Sequence, residues 1–119
     1  MLIGLNFIML HVPDVEQARA FYTEKLGLVV DAQQPDFVQF KQPMGHGAVF
    51  ALGKAEDNAT LQGAELWWFV DDADKTFADL VAQHVEVVSK PTDEPFGRAL
   101  AIKDPAGHTI HLLQLPSQR

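Results

Sequence analysis

The fold is decided by the stretch from residue 10 to residue 18, LHVPDVEQA, in which a predicted strand is followed directly by a predicted helix. The short apolar run that ends before Pro13 is typical of a buried strand. Asp14 suits a helix N-cap, and Gln17 occupies the third helical position of a capping box. Apolar residues then recur at helical spacing until Gly27, which suits the left-handed residue that ends a helix.

The same order of elements is predicted twice along the chain. Further strands are predicted at residues 37–41, 47–52, 65–70, 98–102 and 109–113, with two more that begin at Leu28 and Val85. Asp72 suits the N-cap of the second helix, which ends at His84, while residues 91–95 and 104–107 are predicted turns. The halves superpose in pattern, so that Val12 falls on Val70 and Ala51 on His111. The prediction is an α+β chain with two tandem βαβββ modules, covering about residues 1–57 and 62–115.

A four-stranded module with a helix on one face leaves its other sheet face bare, and that face must pack on something. The two mixed sheets are therefore expected to curl around a cleft. Because neighbouring residues of a strand point to opposite faces, the strand registers predict which side chains face this cleft. They are Phe7, Met9, His11, Glu65, Trp67, Phe69, Thr109 and His111.

Composition excludes several classes of function. The net charge of −7 argues against nucleic-acid binding, which needs a basic surface, and weakly favours cationic ligands. The absence of cysteine excludes disulfides and thiolate metal sites. No apolar run approaches the roughly 20 residues of a membrane helix. The first residues lack the basic region and cleavage site of a secretion signal, so the expectation is a cytoplasmic protein without a membrane partner.

Two signatures carry a resemblance to a known superfamily. The strand, capping Asp and helix of residues 10–28, with FY at 21–22 and LGL at 26–28, resemble the opening of vicinal oxygen chelate proteins. Residues 95–112, with DPAG at 104–107, resemble their final hairpin. The resemblance implies the fold shared by glyoxalases, bleomycin resistance proteins and extradiol dioxygenases. It also implies a homodimer, because dimerisation typically completes the clefts of short two-module members.

The same resemblance implies where a metal would bind. The ligand positions of metal-using members fall on Phe7, Ala51, Glu65 and His111. Phenylalanine and alanine cannot bind a metal, and a catalytic metal usually has at least three protein ligands. The expectation is therefore no cofactor, with a divalent metal on Glu65 and His111 as the open alternative.

Three functions remain open from the sequence. The first is a small-molecule binder with an aromatic wall that includes Trp67 and Phe69, and with Arg98 as a candidate partner for an anionic group. The second is an enzyme that uses Glu65 and His111, as a metal-dependent lyase, isomerase or dioxygenase or as a metal-free acid–base catalyst. The third is a structural or regulatory module. Two further histidines are predicted to lie away from this pair. His11 is expected at the pocket mouth, and His108 at a hairpin tip, where polar residues are expected.

Overall fold

Both halves fold in the order strand, helix, strand, strand, strand in the computed structural model, which describes residues 1–55 and 63–116. The first half contains β1 (Phe7–Val12), α1 (Val15–Ala20) with a π-helical continuation (Phe21–Lys25), β2 (Val30–Gln34), β3 (Phe37–Phe40) and β4 (Val49–Lys54). The second half contains β5 (Leu66–Phe69), α2 (Ala73–Ala82), β6 (Val87–Glu94), β7 (Gly97–Lys103) and β8 (Thr109–Gln114). The predicted α+β class with two βαβββ modules is confirmed.

Each half forms one four-stranded mixed sheet, ordered β1-β4-β3-β2 in the first and β5-β8-β7-β6 in the second. In both sheets the first and last strands of the half pair in parallel, and the other pairs are antiparallel. The chain divides into two compact units, Met1–Thr60 and Leu61–Arg119. The module boundaries near residues 57 and 62 stay a prediction, since residues 56–62 lie outside the described ranges.

The helix ends follow their sequence signals. The side chain of Asp14 accepts a hydrogen bond from Gln17 N at 3.0 Å, and Asp72 caps α2 in the same way. Gly27 adopts a φ of 78°, as predicted for the residue that ends the first helix. His84 ends the second with a φ of 62°, which is uncommon for a residue with a Cβ. Over the described residues, no helix combines the length and the apolar character needed to cross a membrane.

The helix-covered face of each sheet forms the core of its unit. In the first unit, the fully buried ring of Tyr22 lies 5.2 Å from that of Phe50 and 6.2 Å from that of Phe40. In the second unit, Leu80 of α2 and Leu100 of β7 are buried. Burial of each such side chain stabilises the fold by about 1.5–3 kcal/mol.

Strand β6 differs from its prediction. The turn expected at residues 91–95 is wrong, because β6 continues to Glu94 and the chain turns at Pro95 and Phe96. Pro91 lies where the pairing of β6 with β7 shifts register, between Ser89 and Thr92. A proline is tolerated in a strand at such a bulge, since the ladder there does not require its missing N–H.

The turn between β7 and β8 is confirmed, with Gly107 N donating to Asp104 O at 3.0 Å. One carboxylate oxygen of Asp104 accepts from Ala106 N at 3.0 Å and from His108 N at 2.9 Å. These hydrogen bonds fix the conformation of the turn. Both Asp104 and His108 are buried. His108 lies between β7 and β8 as predicted, but its side chain is buried in the unit rather than in solvent.

Candidate functional site

One face of the second sheet is not covered by α2, and we call it the open face. It carries large apolar side chains. On β5, Leu66 and Trp68 lie toward the helix, whereas Trp67 and Phe69 alternate onto the open face. Trp67 is 43% exposed and Phe69 61% exposed. Strands β7 and β8 add to this face Ala99, Ala101, Lys103, Thr109, His111 and Leu113.

Three predicted site residues form a contact group on the open face. Trp67 pairs with His111 across the parallel β5–β8 ladder, and their rings stack with centroids 4.4 Å apart and an interplanar angle of 13°. The Glu65 carboxylate accepts a hydrogen bond from Trp67 Nε1 at 3.1 Å, and its other oxygen lies 3.8 Å from His111 Nε2. A carboxylate thus lies at the edge of a stacked ring pair, where it can accept hydrogen bonds or attract a cation.

An apolar groove of about 330 Å³ lies beside this group. Its lining consists of Trp67, Trp68, Phe69, Phe96 and Leu113. The ring of Phe96 meets Trp67 edge to face, with centroids 5.8 Å apart and an interplanar angle of 77°. Flat, apolar linings with a few polar groups at the rim are typical of small-molecule sites.

Gly97 explains why Phe96 reaches the open face. Its φ is 146°, and a Cβ at this position would collide with the carbonyl oxygen of Gln114 and lie 2.9 Å from Leu113 Cδ1. Glycine therefore lets the β6–β7 turn bend tightly over β8. Phe96 was not predicted as a site residue, because it lies between the turn predicted at residues 91–95 and the strand predicted from residue 98. An aromatic residue followed directly by glycine in a tight turn is the signal that could have identified it.

The remaining predicted residues of the first unit lie on the face of its sheet that α1 does not cover. Phe7 is 37% exposed and Met9 41% exposed, while His11 is exposed and Ala51 is fully buried. Met9 lies across Gly53, where a Cβ would come within 2.6 Å of its sulfur. The alternation predicted for β1 agrees with these exposures. Their roles in ligand binding stay predictions.

The side chains present do not fit a metal site with three protein ligands. Glu65 and His111 supply two donors, and Phe7 and Ala51 at the corresponding positions of the first sheet supply none. Within residues 1–55 and 63–116, no group of three or more His, Cys, Asp or Glu side chains could hold a metal ion. We therefore derive no chemistry that passes through a metal.

Arg98 requires a correction. In the unbroken β7–β8 register it shares a face with Leu100, which α2 covers, whereas His111 pairs with Ala101 on the open face. Its guanidinium donates to Asp74 on α2 at 3.1 Å and to Asp93 at 3.0 Å. The hydrogen bonds that the carboxylates of Asp74 and Asp93 accept from Arg98 raise the pKa of Arg98 above its ordinary value. Arg98 thus ties β7 to α2 and β6 and is not part of the open face.

The first unit contains a larger, open and more polar cleft of about 690 Å³ between the start of α1 and the β2–β3 turn. Two of its four charged lining residues are engaged within the unit. Asp14 caps α1, and Glu16 pairs with Arg19 and lies 3.4 Å from Gln33 Nε2. The other two, Asp36 and Lys54, are joined by a backbone hydrogen bond from Lys54 N to Asp36 O.

Comparisons with known proteins agree with the fold. A model of the glyoxalase/bleomycin resistance protein/dioxygenase superfamily matches residues 4–112. TnmS3, an antibiotic binding protein from Streptomyces sp. CB03234, is 27% identical with a TM-score of 0.80, over 96% of this chain and 97% of that chain.

A glyoxalase/bleomycin resistance protein/dioxygenase from Nocardioides is 23% identical with a TM-score of 0.75, over 97% of this chain and 85% of that chain. Protein ATC0852 from Agrobacterium tumefaciens is 24% identical with a TM-score of 0.79, over 96% of this chain and 98% of that chain. A search of curated proteins gives no significant match. Since the family model covers most of the sequence, the chain belongs to the glyoxalase/bleomycin resistance protein/dioxygenase superfamily.

Proposed function

We propose that this chain is a small-molecule-binding protein that holds a planar, positively charged aromatic ligand on the open face of the second sheet without a metal. The observation that carries the proposal is the stack of Trp67 on His111 with the Glu65 carboxylate at its edge. The antibiotic binding protein TnmS3, similar over the whole length of this chain, supports binding as the function.

The energetics of this face favour a flat, cationic ligand. An aromatic pair contributes about 0.5–1.5 kcal/mol beyond the area it buries, and a cation over a tryptophan ring about 0.5–2 kcal/mol. Trp67, Phe69 and Phe96 are each between 43% and 61% exposed, so all three can still gain contact area. The carboxylate of Glu65 and the net charge of −7 both attract cations and repel anions.

We assign the active form as a cytoplasmic homodimer. Small-molecule sites commonly bury about 70–90% of the ligand surface, and a flat ligand on an exposed sheet face is contacted on one side only. A second copy of the chain would supply the other wall. Analytical ultracentrifugation at several protein concentrations tests the dimer. If the sedimenting species has the mass of a monomer at every concentration, with or without ligand, this part of the proposal is contradicted.

The two tryptophans allow a direct binding test, because Trp67 lies on the open face and Trp68 on the opposite face. In the Trp68→Phe variant the only indole is Trp67. Titration with acridine orange, a planar aromatic cation, is expected to quench its fluorescence in a saturable way. In the Trp67→Phe variant calorimetry should show weaker dye binding, whereas the remaining indole, Trp68, also lines the groove and can still be quenched.

Equal dye affinity of the Trp67→Phe and Trp68→Phe variants would contradict the assigned site. Glu65→Gln is a matched variant of similar size that removes only the charge. It is expected to weaken binding of the cationic dye while Trp67 remains quenched at saturation. Unchanged affinity in Glu65→Gln would show that the carboxylate does not recognise the positive charge.

One contact favours a second candidate, a metal-free acid–base enzyme. Glu65 lies 3.8 Å from His111 Nε2, and a carboxylate in this position can orient an imidazole as a base. Metal analysis by plasma mass spectrometry, after dialysis against nickel, zinc, manganese and iron in turn, separates both candidates from a metalloenzyme. Stoichiometric metal that disappears in Glu65→Gln and His111→Ala would overturn the metal-free proposals.

A further inference from the structure

Two hydroxyl side chains of β6 lie on the open face because the strand is irregular. Ser89 pairs with Ala101, and Thr92 pairs with Ala99. Residues three apart on a regular strand point to opposite faces, yet Ala99 and Ala101 share one face. The register shift between Ser89 and Thr92, at the position of Pro91, brings both hydroxyls onto that face. Bulges of this kind re-aim side chains and are frequent beside functional sites.

The pairing registers place these hydroxyls opposite the aromatic groups. One row across the four strands runs Trp67, His111, Ala101, Ser89, and the next runs Phe69, Leu113, Ala99, Thr92. The two alanines on β7 project less than the side chains on either side of them. The open face therefore has an aromatic wall on β5 and β8, a hydroxyl wall on β6 and an alanine floor, of which Ala99 is partly exposed and Ala101 is buried. With strands about 4.8 Å apart, the outer walls are about 14 Å apart.

The hydroxyl wall presents hydrogen-bond acceptors. Thr92 Oγ1 donates its proton to Lys90 O at 2.9 Å, so its lone pairs remain to accept a bond. Glu94 follows Thr92 in unbroken register and adds an exposed carboxylate on the same face. At Thr92 and Glu94, a ligand edge that meets this wall is matched by N–H or O–H donors rather than by carbonyl groups.

We propose that Ser89 and Thr92 determine which ligands this site accepts, and that the preferred ligand is a flat fused-ring compound with hydrogen-bond donors on the edge opposite Trp67. This inference rests on the proposed function. It names two specificity-determining residues and a ligand class that the aromatic wall alone does not define. A ligand that spans the alanine floor places its rings against Trp67 and its donors against Thr92.

Proflavine and acridine orange test this assignment. Both are planar acridine cations at neutral pH, but proflavine carries amino N–H donors where acridine orange carries dimethylamino groups. The protein is expected to bind proflavine about fivefold more tightly, the equivalent of one neutral hydrogen bond. Thr92→Val, which keeps the side-chain shape, should abolish this preference and leave acridine orange affinity unchanged. Thr76→Val, on α2 across the sheet, is the matched control and should keep the preference.

The outcomes separate this inference from the function on which it rests. If both dyes quench Trp67 with equal affinity, or if Thr92→Val weakens both alike, the hydroxyl wall does not set specificity and the inference is overturned, while the binding function stands. If neither dye quenches Trp67, both proposals fail. Ala99→Leu, which fills the floor, is expected to weaken both dyes. Unchanged dye affinity in Ala99→Leu would contradict the placement of the ligand across the alanine floor and overturn the inference.

Discussion

Replacement of Gly97 by alanine tests the geometry that brings Phe96 to Trp67. The φ of 146° at Gly97 lies in a region that residues with a Cβ avoid, and such strain costs about 1–3 kcal/mol. The new methyl group would also collide with Gln114 O and crowd Leu113 Cδ1. Displacement of packed neighbours adds about 1–3 kcal/mol, so we expect the free energy of unfolding to fall by about 3–4 kcal/mol.

The matched control is Gly63→Ala in the same unit. Gly63 also has a positive φ, 77°, but among the described residues, apart from its chain neighbours, no atom lies within 4 Å of the position its Cβ would take. Backbone strain alone predicts a loss of about 1–2 kcal/mol there.

Urea unfolding followed by tryptophan fluorescence measures both variants, since both indoles belong to this unit. With a slope near 2 kcal/mol per molar urea, the midpoint should fall by about 1.5–2 M for Gly97→Ala and about 0.5–1 M for the control. Equal shifts would refute the argument that the close approach to β8 requires glycine at residue 97.

Two other substitutions test the second unit. Asp104→Ala leaves two buried backbone N–H groups of the β7–β8 turn without their acceptor, and we expect urea unfolding to show a loss of about 2–4 kcal/mol. A loss below about 1 kcal/mol would mean that another group satisfies them. Arg98→Met removes an ion-pair network at the surface and is expected to lower the urea midpoint only slightly, by an amount that shrinks further in high salt. Its acridine orange affinity should match that of the unaltered protein, and a clear decrease would place Arg98 back in the site.

Features that depend on only a few adjacent residues could be predicted from the sequence. The caps at Asp14 and Asp72 and the helix end at Gly27 depend on short-range hydrogen bonds and on one positive φ. The placement of Trp67 and His111 on one face followed from strand alternation, because each strand is regular at that point. The aromatic and acidic part of the site therefore needed no knowledge of distant pairing.

Features that depend on register between strands could not be predicted in the same way. Pro91 is a local turn signal, but pairing with β7 extends β6 through it to Glu94. Arg98 was assigned to the ligand site because nothing in its neighbourhood shows that it shares a face with α2. The positions of Ser89 and Thr92 depend on a bulge that appears only once β6 and β7 are aligned.

The irregularity at Pro91 has a second consequence, for the outer edge of the second sheet. Within the described residues β6 is a border strand, and a long flat border strand can recruit a strand from another molecule. Pro91 has no N–H to offer such a strand, and the two register shifts twist the strand away from a regular ladder. Addition of further strands at this border is thereby blocked.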